Sequence, residues 1–149
     1  MVIVKITIEN YQIGLEYQID DTIEKVLQDI NEILPKLKAI TWCEQSKETI
    51  LNQIEQPHLK EMFNRTNRIA NAIFTKEIID IASTNIIISD LKRVFHILFT
   101  QSPQEFTDIL QTQSTYQKIF CCKKELIHSK TFKELYGNNT KLSLKMIIE

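Results

Sequence analysis

Two glycines among 149 residues leave this chain few points at which its backbone can reverse sharply. With only three prolines beside them, Gly-rich phosphate loops are ruled out, and long helices joined by few tight turns are favoured. The clearest helix signals lie in residues 89–112. Ser89 or Asp90 can cap a first helix, whose Leu91, Val94, Phe95 and Leu98 fall at i, i+3, i+4 and i+7. A second start follows, with Ser102 as N-cap, Pro103 at the first helical position and Glu105 able to close a capping box. Phe106, Ile109 and Leu110 form the apolar face of that helix.

The N-terminus carries a different period. Val2, Val4, Ile6 and Ile8 alternate with Lys5, Thr7 and Glu9, the pattern of a half-buried strand. Asn10 suits a turn, and Ile13, Leu15, Tyr17 and Ile19 alternate again, which predicts a hairpin. Asp21, with Glu24 three residues on, caps a helix whose buried stripe is Ile23, Val26, Leu27, Ile30 and Leu34. Pro35 ends that helix or starts a short second one carrying Leu37, Ile40 and Trp42. Residues 46–55 read as helix up to Pro57. Residues 58–83 hold helical spacing, with a break expected at Asn64 to Asn67, because Asn and Thr are poor in helix interiors. Residues 82–85 read as a loop and Ile86, Ile87 and Ile88 as a short connection.

Residues 114–127 are expected to form a helix capped by Ser114 or Thr115 and carrying Tyr116, Ile119, Phe120, Lys123 and Leu126. Residues 131–136 form another, closed by Gly137. Asn138, Asn139 and Thr140 suit a turn. Leu142, Leu144, Met146 and Ile148 alternate with polar residues and Ile147, as a strand joining an edge of the N-terminal sheet or as a short helix. The fold class expected is α+β, predominantly helical, in one domain spanning residues 1–149: an N-terminal hairpin with a helical core over 1–98, then a C-terminal helical extension over 99–149.

A net charge of −1, with 43% hydrophobic and 25% charged residues, is an ordinary globular mix with no global basic field for nucleic acid. The charge is uneven: residues 1–63 sum to −5, residues 64–116 to zero and residues 117–149 to +4. The basic end is either solvated and attracted to the acidic one, or a docking surface. No apolar run is long enough to cross a membrane, and the first residues lack the layout of a signal peptide. Cys43, Cys121 and Cys122 are odd in number, two of them adjacent, which suggests reduced thiols in a cytoplasmic or nuclear protein.

Chemistry-bearing patterns are scarce. His58, His96 and His128 offer no two-His helical metal face, and Cys121, Cys122 and His128 fit no standard zinc spacing. Cys43 follows Trp42 with no His nearby in sequence and reads as a buried free thiol. Asp20 with Asp21, and Asp29 with Glu32, read as caps and solvated charge. No catalytic residue, metal site or cofactor site is assigned, and the chain is not expected to be an enzyme.

The ordered pieces suggest a family. The strand opening Val4-Lys5-Ile6, the helix Thr22-Ile23-Glu24-Lys25-Val26-Leu27-Gln28-Asp29-Ile30, the segment Lys38-Ala39-Ile40-Thr41-Trp42-Cys43, and Leu91-Lys92-Arg93-Val94 followed by Ser102-Pro103-Gln104-Glu105-Phe106 resemble matching stretches of the Skp-type adaptor of Skp–cullin–F-box ubiquitin ligases. That family has a BTB/POZ-like fold with added C-terminal helices. The resemblance implies a non-enzymatic adaptor whose last helices take an F-box protein through Pro103, Phe106, Ile109, Leu110, Ile119 and Phe120. It also implies cullin contact at Ile79 and Asp80, although the family's Asn-Tyr-Leu-Asp stretch stands here as Ile79-Asp80-Ile81-Ala82. The alternative is a divergent or pathogen-encoded BTB-like regulatory domain acting as a homodimer or on another host protein. The hairpin followed by Asp-Thr-Ile-Glu over residues 3–30 also resembles ubiquitin-like folds.

Overall fold

A computed structural model describes residues 1–138 and 141–149, so the turn expected at Asn138 to Thr140 falls partly, at Asn139 and Thr140, outside the described residues. The fold is α+β and predominantly helical. In chain order it runs β1 (Val2–Ile8), β2 (Tyr11–Tyr17), α1 (Ile23–Gln45), α2 (Lys47–Asn52), α3 (Pro57–Asn71), a 3-10 turn (Ala72–Thr75), α4 (Ile81–Phe99), α5 (Gln104–Gln111), β3 (Ile119–Cys121), β4 (Lys124–Glu125), α6 (Phe132–Tyr136) and β5 (Leu142–Ile148). The chain divides into two compact units. One comprises Met1–Glu32, Lys76–Asp80 and Ser114–Glu149; the other comprises Ile33–Thr75 and Ile81–Gln113.

The first unit is built on one mixed sheet in the order β2-β1-β5-β3-β4. The expected hairpin is present, with Val2 opposite Tyr17 and Ile8 opposite Tyr11. β5 is a strand, not a short helix. It lies parallel to β1, Val2 beside Leu142 and Ile6 beside Met146, and antiparallel to β3. Inward residues Val2, Val4, Ile6, Ile13, Leu15, Leu144, Met146 and Ile148 are buried, as are Ile23, Val26 and Ile30 on the first part of α1. Tyr17 donates its hydroxyl to the Asp29 carboxylate on α1 at 2.7 Å and stacks on Phe132 of α6 at 5.7 Å, so helix and sheet share this core.

The start of α1 differs from the expected cap. The Asp21 carboxylate accepts from the Gln18 N–H at 2.7 Å, and Thr22 is the residue whose hydroxyl accepts from Lys25 N–H. The first helical N–H groups, at Ile23 and Glu24, donate to the carbonyls of Lys130 and His128, so a backbone loop satisfies donors a side chain often serves.

The helix expected over residues 114–127 is absent. In its place β3 and β4 form a hairpin, with Phe120 opposite Glu125 and Cys121 opposite Lys124. The two-residue turn is Cys122-Lys123, with φ of 53° and 65°. These are the positive values a tight hairpin needs, taken here without Gly or Asn. Among the described residues beyond 99, α5 and α6 are the helices, and the remainder of the expected C-terminal helical extension supplies three strands.

Residues 76–80 run along β2. The Ile79 N–H donates to the Gly14 carbonyl at 2.7 Å, and a side chain at Gly14 would lie 1.8 Å from the Glu77 carbonyl oxygen. This segment covers an otherwise free sheet edge, the usual site of unwanted strand pairing.

The second unit is helical. α1 continues through the buried Pro35 to Gln45 instead of ending there, and its later turns bury Leu37, Ile40 and Cys43. α3 passes unbroken through Asn64 to Asn67, because the buried Asn67 side chain donates to the Glu44 carboxylate at 2.6 Å rather than competing for its own backbone. α4 starts at Ile81, eight residues before the expected cap at Ser89. Thr84 and Ile88 continue the Leu91 and Phe95 stripe backwards at i+4, i+7 and i+11, and the Thr84 hydroxyl is satisfied by the Ile81 carbonyl. In α5 the N-cap is Pro103, not Ser102, and its carbonyl accepts from Thr107. Glu105 closes no capping box; its carboxylate accepts from the Trp42 indole at 2.8 Å.

Candidate functional site

The sheet buries one face against α1 and α6 and leaves the other open. Strand alternation decides which residues stand there: Gln12 and Glu16 on β2, Ile3, Lys5 and Thr7 on β1, Ser143, Lys145 and Ile147 on β5, and Phe120 on β3. Register sets their order. Thr7 neighbours Ile147, Ile147 is opposite Phe120, and Phe120 is opposite Glu125. Ile147 is 56% exposed although it is a large β-branched residue on a central strand, and the half-buried Phe120 lies directly beside it. In the adjacent row Lys5 and Lys145 are cross-strand neighbours, both exposed. Like charges facing each other across a sheet repel, so this pair lowers stability unless something acidic sits over it.

Two clamps fix β3 in this position. The Asn31 side chain both donates to the Tyr116 carbonyl and accepts from its N–H, each at 3.2 Å. The Tyr116 hydroxyl donates to Glu9 at 2.8 Å, and that carboxylate raises the phenol pKa. Lys118 and Glu149 then exchange backbone hydrogen bonds at 3.0 Å.

The residues singled out from sequence are dispersed. Phe106 is fully buried, with its ring 5.1 Å from Phe95 and 6.3 Å from Trp42, so it is core of the helical unit. Pro103, Ile109 and Leu110 are half-buried on or beside α5. Ile119 points into the sheet core and Phe120 out of it, so the two belong to opposite faces of one strand and to no helix. Ile79 is buried along β2, and Asp80 is exposed. Ile147 was missed. Its only signal was an apolar residue on the polar side of an alternating strand.

Cys43 is fully buried, and burial pushes its thiol up to about 12, which suits packing and not nucleophilic attack. Cys121 is buried and raised in the same sense, while Cys122 is exposed at the turn. Among the described residues, no group of three His, Cys, Asp or Glu is arranged to hold a metal ion, and no helix is long and apolar enough to cross a membrane. Compared with protein-family models, curated proteins and solved structures, the chain matches none.

Proposed function

We propose that this chain is a non-enzymatic protein-interaction module whose open sheet face receives an acidic, apolar segment of a partner protein. The observation that carries the reading is the Phe120–Ile147 cross-strand pair beside the Lys5–Lys145 pair. An apolar pair invites burial, and two juxtaposed ammonium groups favour carboxylates over water alone. The order of elements in this unit, a hairpin, a helix, a second hairpin, a short helix and a strand parallel to the first, is that of ubiquitin-like folds, which supports a recognition role. Three free cysteines support a reducing compartment, cytoplasm or nucleus.

Within this class, the Skp-type resemblance suggests a narrower role as an adaptor between F-box substrate receptors and a cullin in a ubiquitin ligase. Its support is the four ordered residue matches over residues 4–110.

Affinity capture with the wild-type chain and with Ile147→Asp tests both. A partner held by the wild type and lost from the variant is the expected result. F-box proteins and a cullin among the captured chains would establish the adaptor role. Full retention by Ile147→Asp and by Phe120→Lys would sink the sheet-face reading.

A further inference from the structure

Two thiols stand side by side at the β3–β4 turn and take no part in the open sheet face. Cys121 ends β3 and is buried; Cys122 follows at the first turn position and is exposed. The Cys121 thiol lies within hydrogen-bond reach of the Cys122 thiol and of the Tyr136 hydroxyl on α6. Three reactive groups from two stretches of chain therefore meet at one point. The other free thiol, Cys43, is buried in the helical unit.

The two sulfurs differ in access. Cys122 meets whatever is dissolved around the protein. Cys121 does not, and burial holds its thiol above the ordinary range, which makes it inert towards outside reagents. It is open to one reaction partner, the sulfur on the next residue. Tyr136 serves that encounter, because its hydroxyl donates to the Cys121 sulfur and favours the charged form that attacks. An accessible thiol beside a sheltered resolving thiol is the arrangement redox-sensing cysteines use.

Covalent geometry decides what kind of bond this pair makes. The described residues contain no cis peptide, so the Cα atoms of Cys121 and Cys122 stand about 3.8 Å apart. Unstrained disulfides span roughly 4.4–6.8 Å. A bond closed here is strained and readily reduced, which suits a switch and not a staple. The ring it makes includes the peptide unit between the two residues, so ψ of Cys121 and φ of Cys122 become ring torsions. That φ is 53°, one of the two positive values on which the hairpin turn depends. Closing the ring thus acts on the torsions that hold β4 against β3.

We propose that Cys121 and Cys122 are a reversible oxidation site, at which a hydroperoxide closes a disulfide between neighbouring residues and remodels the β3–β4 turn. The Cys122 sulfur attacks the outer oxygen of the hydroperoxide. The O–O bond breaks, an alcohol (or water, from hydrogen peroxide) leaves, and Cys122 becomes a sulfenic acid. The Cys121 sulfur then attacks the Cys122 sulfur. The S–O bond breaks, and hydroxide departs with the Cys121 proton as water. The two thiols have lost two electrons and the peroxide has gained them. A dithiol returns both electrons and reopens the ring.

The probe is hydrogen peroxide, added to the full, reduced chain and followed by tryptic mapping after an acid quench. The peptide Ile119–Lys123 should become lighter by two hydrogens while Cys43 stays a free thiol, and dithiothreitol should restore its mass. The Leu126 amide donates to the Ile119 carbonyl at 2.8 Å across the hairpin; its hydrogen exchange should quicken on oxidation and recover on reduction. Cys121→Ser should leave a sulfenic acid at Cys122 that dimedone traps, and Cys122→Ser should leave the peptide unoxidised. A wild-type peptide that keeps its hydrogens, whether unreacted or with oxygen added at Cys122 alone, would overturn the proposal. So would two chains joined through Cys122, or a closed disulfide with exchange at Leu126 unchanged. These readouts need no partner protein, so failure here is distinguishable from failure of the sheet-face reading.

Discussion

Gly14 has no side chain because another backbone occupies the space one would need. Adding a methyl group there sets a carbon 1.8 Å from the Glu77 carbonyl oxygen, and backbone cannot yield as a side-chain tip does. Gly14→Ala should therefore displace residues 76–80 from β2 and cost about 1–3 kcal/mol, the range for overpacked sites. Chemical denaturation measures the loss, and faster hydrogen exchange at the Ile79 amide locates it; unchanged stability would refute the close approach. The buried Cys43 thiol and Tyr17 phenol, with the half-buried Tyr136, give a second residue-scale expectation. Burial raises Cys43 from its ordinary value of 9 to about 12, and raises Tyr17 and Tyr136 in the same direction. A group whose folded pKa is raised favours the protonated form, so its contribution is intact below the unfolded value and is lost as pH climbs towards the folded one. For Cys43 that window opens at pH 9. Melting temperature should fall as pH rises beyond it, less steeply in Cys43→Ala. Thiol labelling at pH 8 followed by peptide mapping should find Cys122 modified first, with Cys43 and Cys121 reacting only on unfolding. Equal rates at Cys43 and Cys122 would refute the packing. Gly14's neighbour is not legible in the sequence, since residues 76–80 lie distant in order, whereas Cys43 reads as a buried free thiol from the sequence and is one.

At the scale of elements, what the sequence discloses depends on how many periods an element contains. β1 offers four alternations and is readable; α3 has four turns, and its helical spacing is readable although its end at Asn71 and its continuity through Asn64 to Asn67 are not; β3 has three residues and β4 two, too few to distinguish period 2 from 3.6. Tyr116, Ile119, Phe120 and Lys123 fit helical spacing by accident, and the turn that would have contradicted it hides behind Cys122 and Lys123 instead of an Asn-Gly pair. The break placed at Asn64 to Asn67 failed for a related reason. Local propensity disfavours Asn in a helix, but the Glu44 carboxylate, twenty-three positions away from Asn67, outweighs it. The hairpin makes an opposite prediction to the helix once expected there. With φ of 65° at Lys123, Lys123→Gly should be neutral or stabilising by a few tenths of a kcal/mol, relief of strain offsetting the added chain entropy. Lys123→Val should cost about 1–2 kcal/mol, because a β-branched residue resists the left-handed region. In a helix interior the glycine would be the worse of the two. Thermal melts of the two variants decide it by rank alone.

At the scale of the molecule, the sheet is closed by residues from opposite ends of the chain. β1 pairs with β2 a few residues on and with β5 some 140 positions later, Val2 beside Leu142. A lone hairpin has a free edge on β1, and the alternation at Leu142, Leu144, Met146 and Ile148 marks a strand able to fill it, so this pairing was legible in outline. Its position was not. β5 sits in the middle of the sheet, between β1 and β3, because a further hairpin lies beyond it that the sequence disguised as helix. The long helical stretch in between concealed the relation, since residues 33–75 and 81–113 bury their own stripes in a unit of their own. This topology makes β5 the keystone of the first unit. Deleting residues 142–149 removes the buried Leu144, Met146 and Ile148 and exposes two long-range edges at once, on β1 and on β3. Two-stranded hairpins are marginal in water, so neither remnant should persist alone. Hydrogen exchange on the truncated chain should show the amides of β1 and β3 unprotected throughout. Persistent protection of Val4 and Ile6 would mean that the hairpin and α1 suffice without the C-terminal strand, and that the sheet is assembled on them and not on β5.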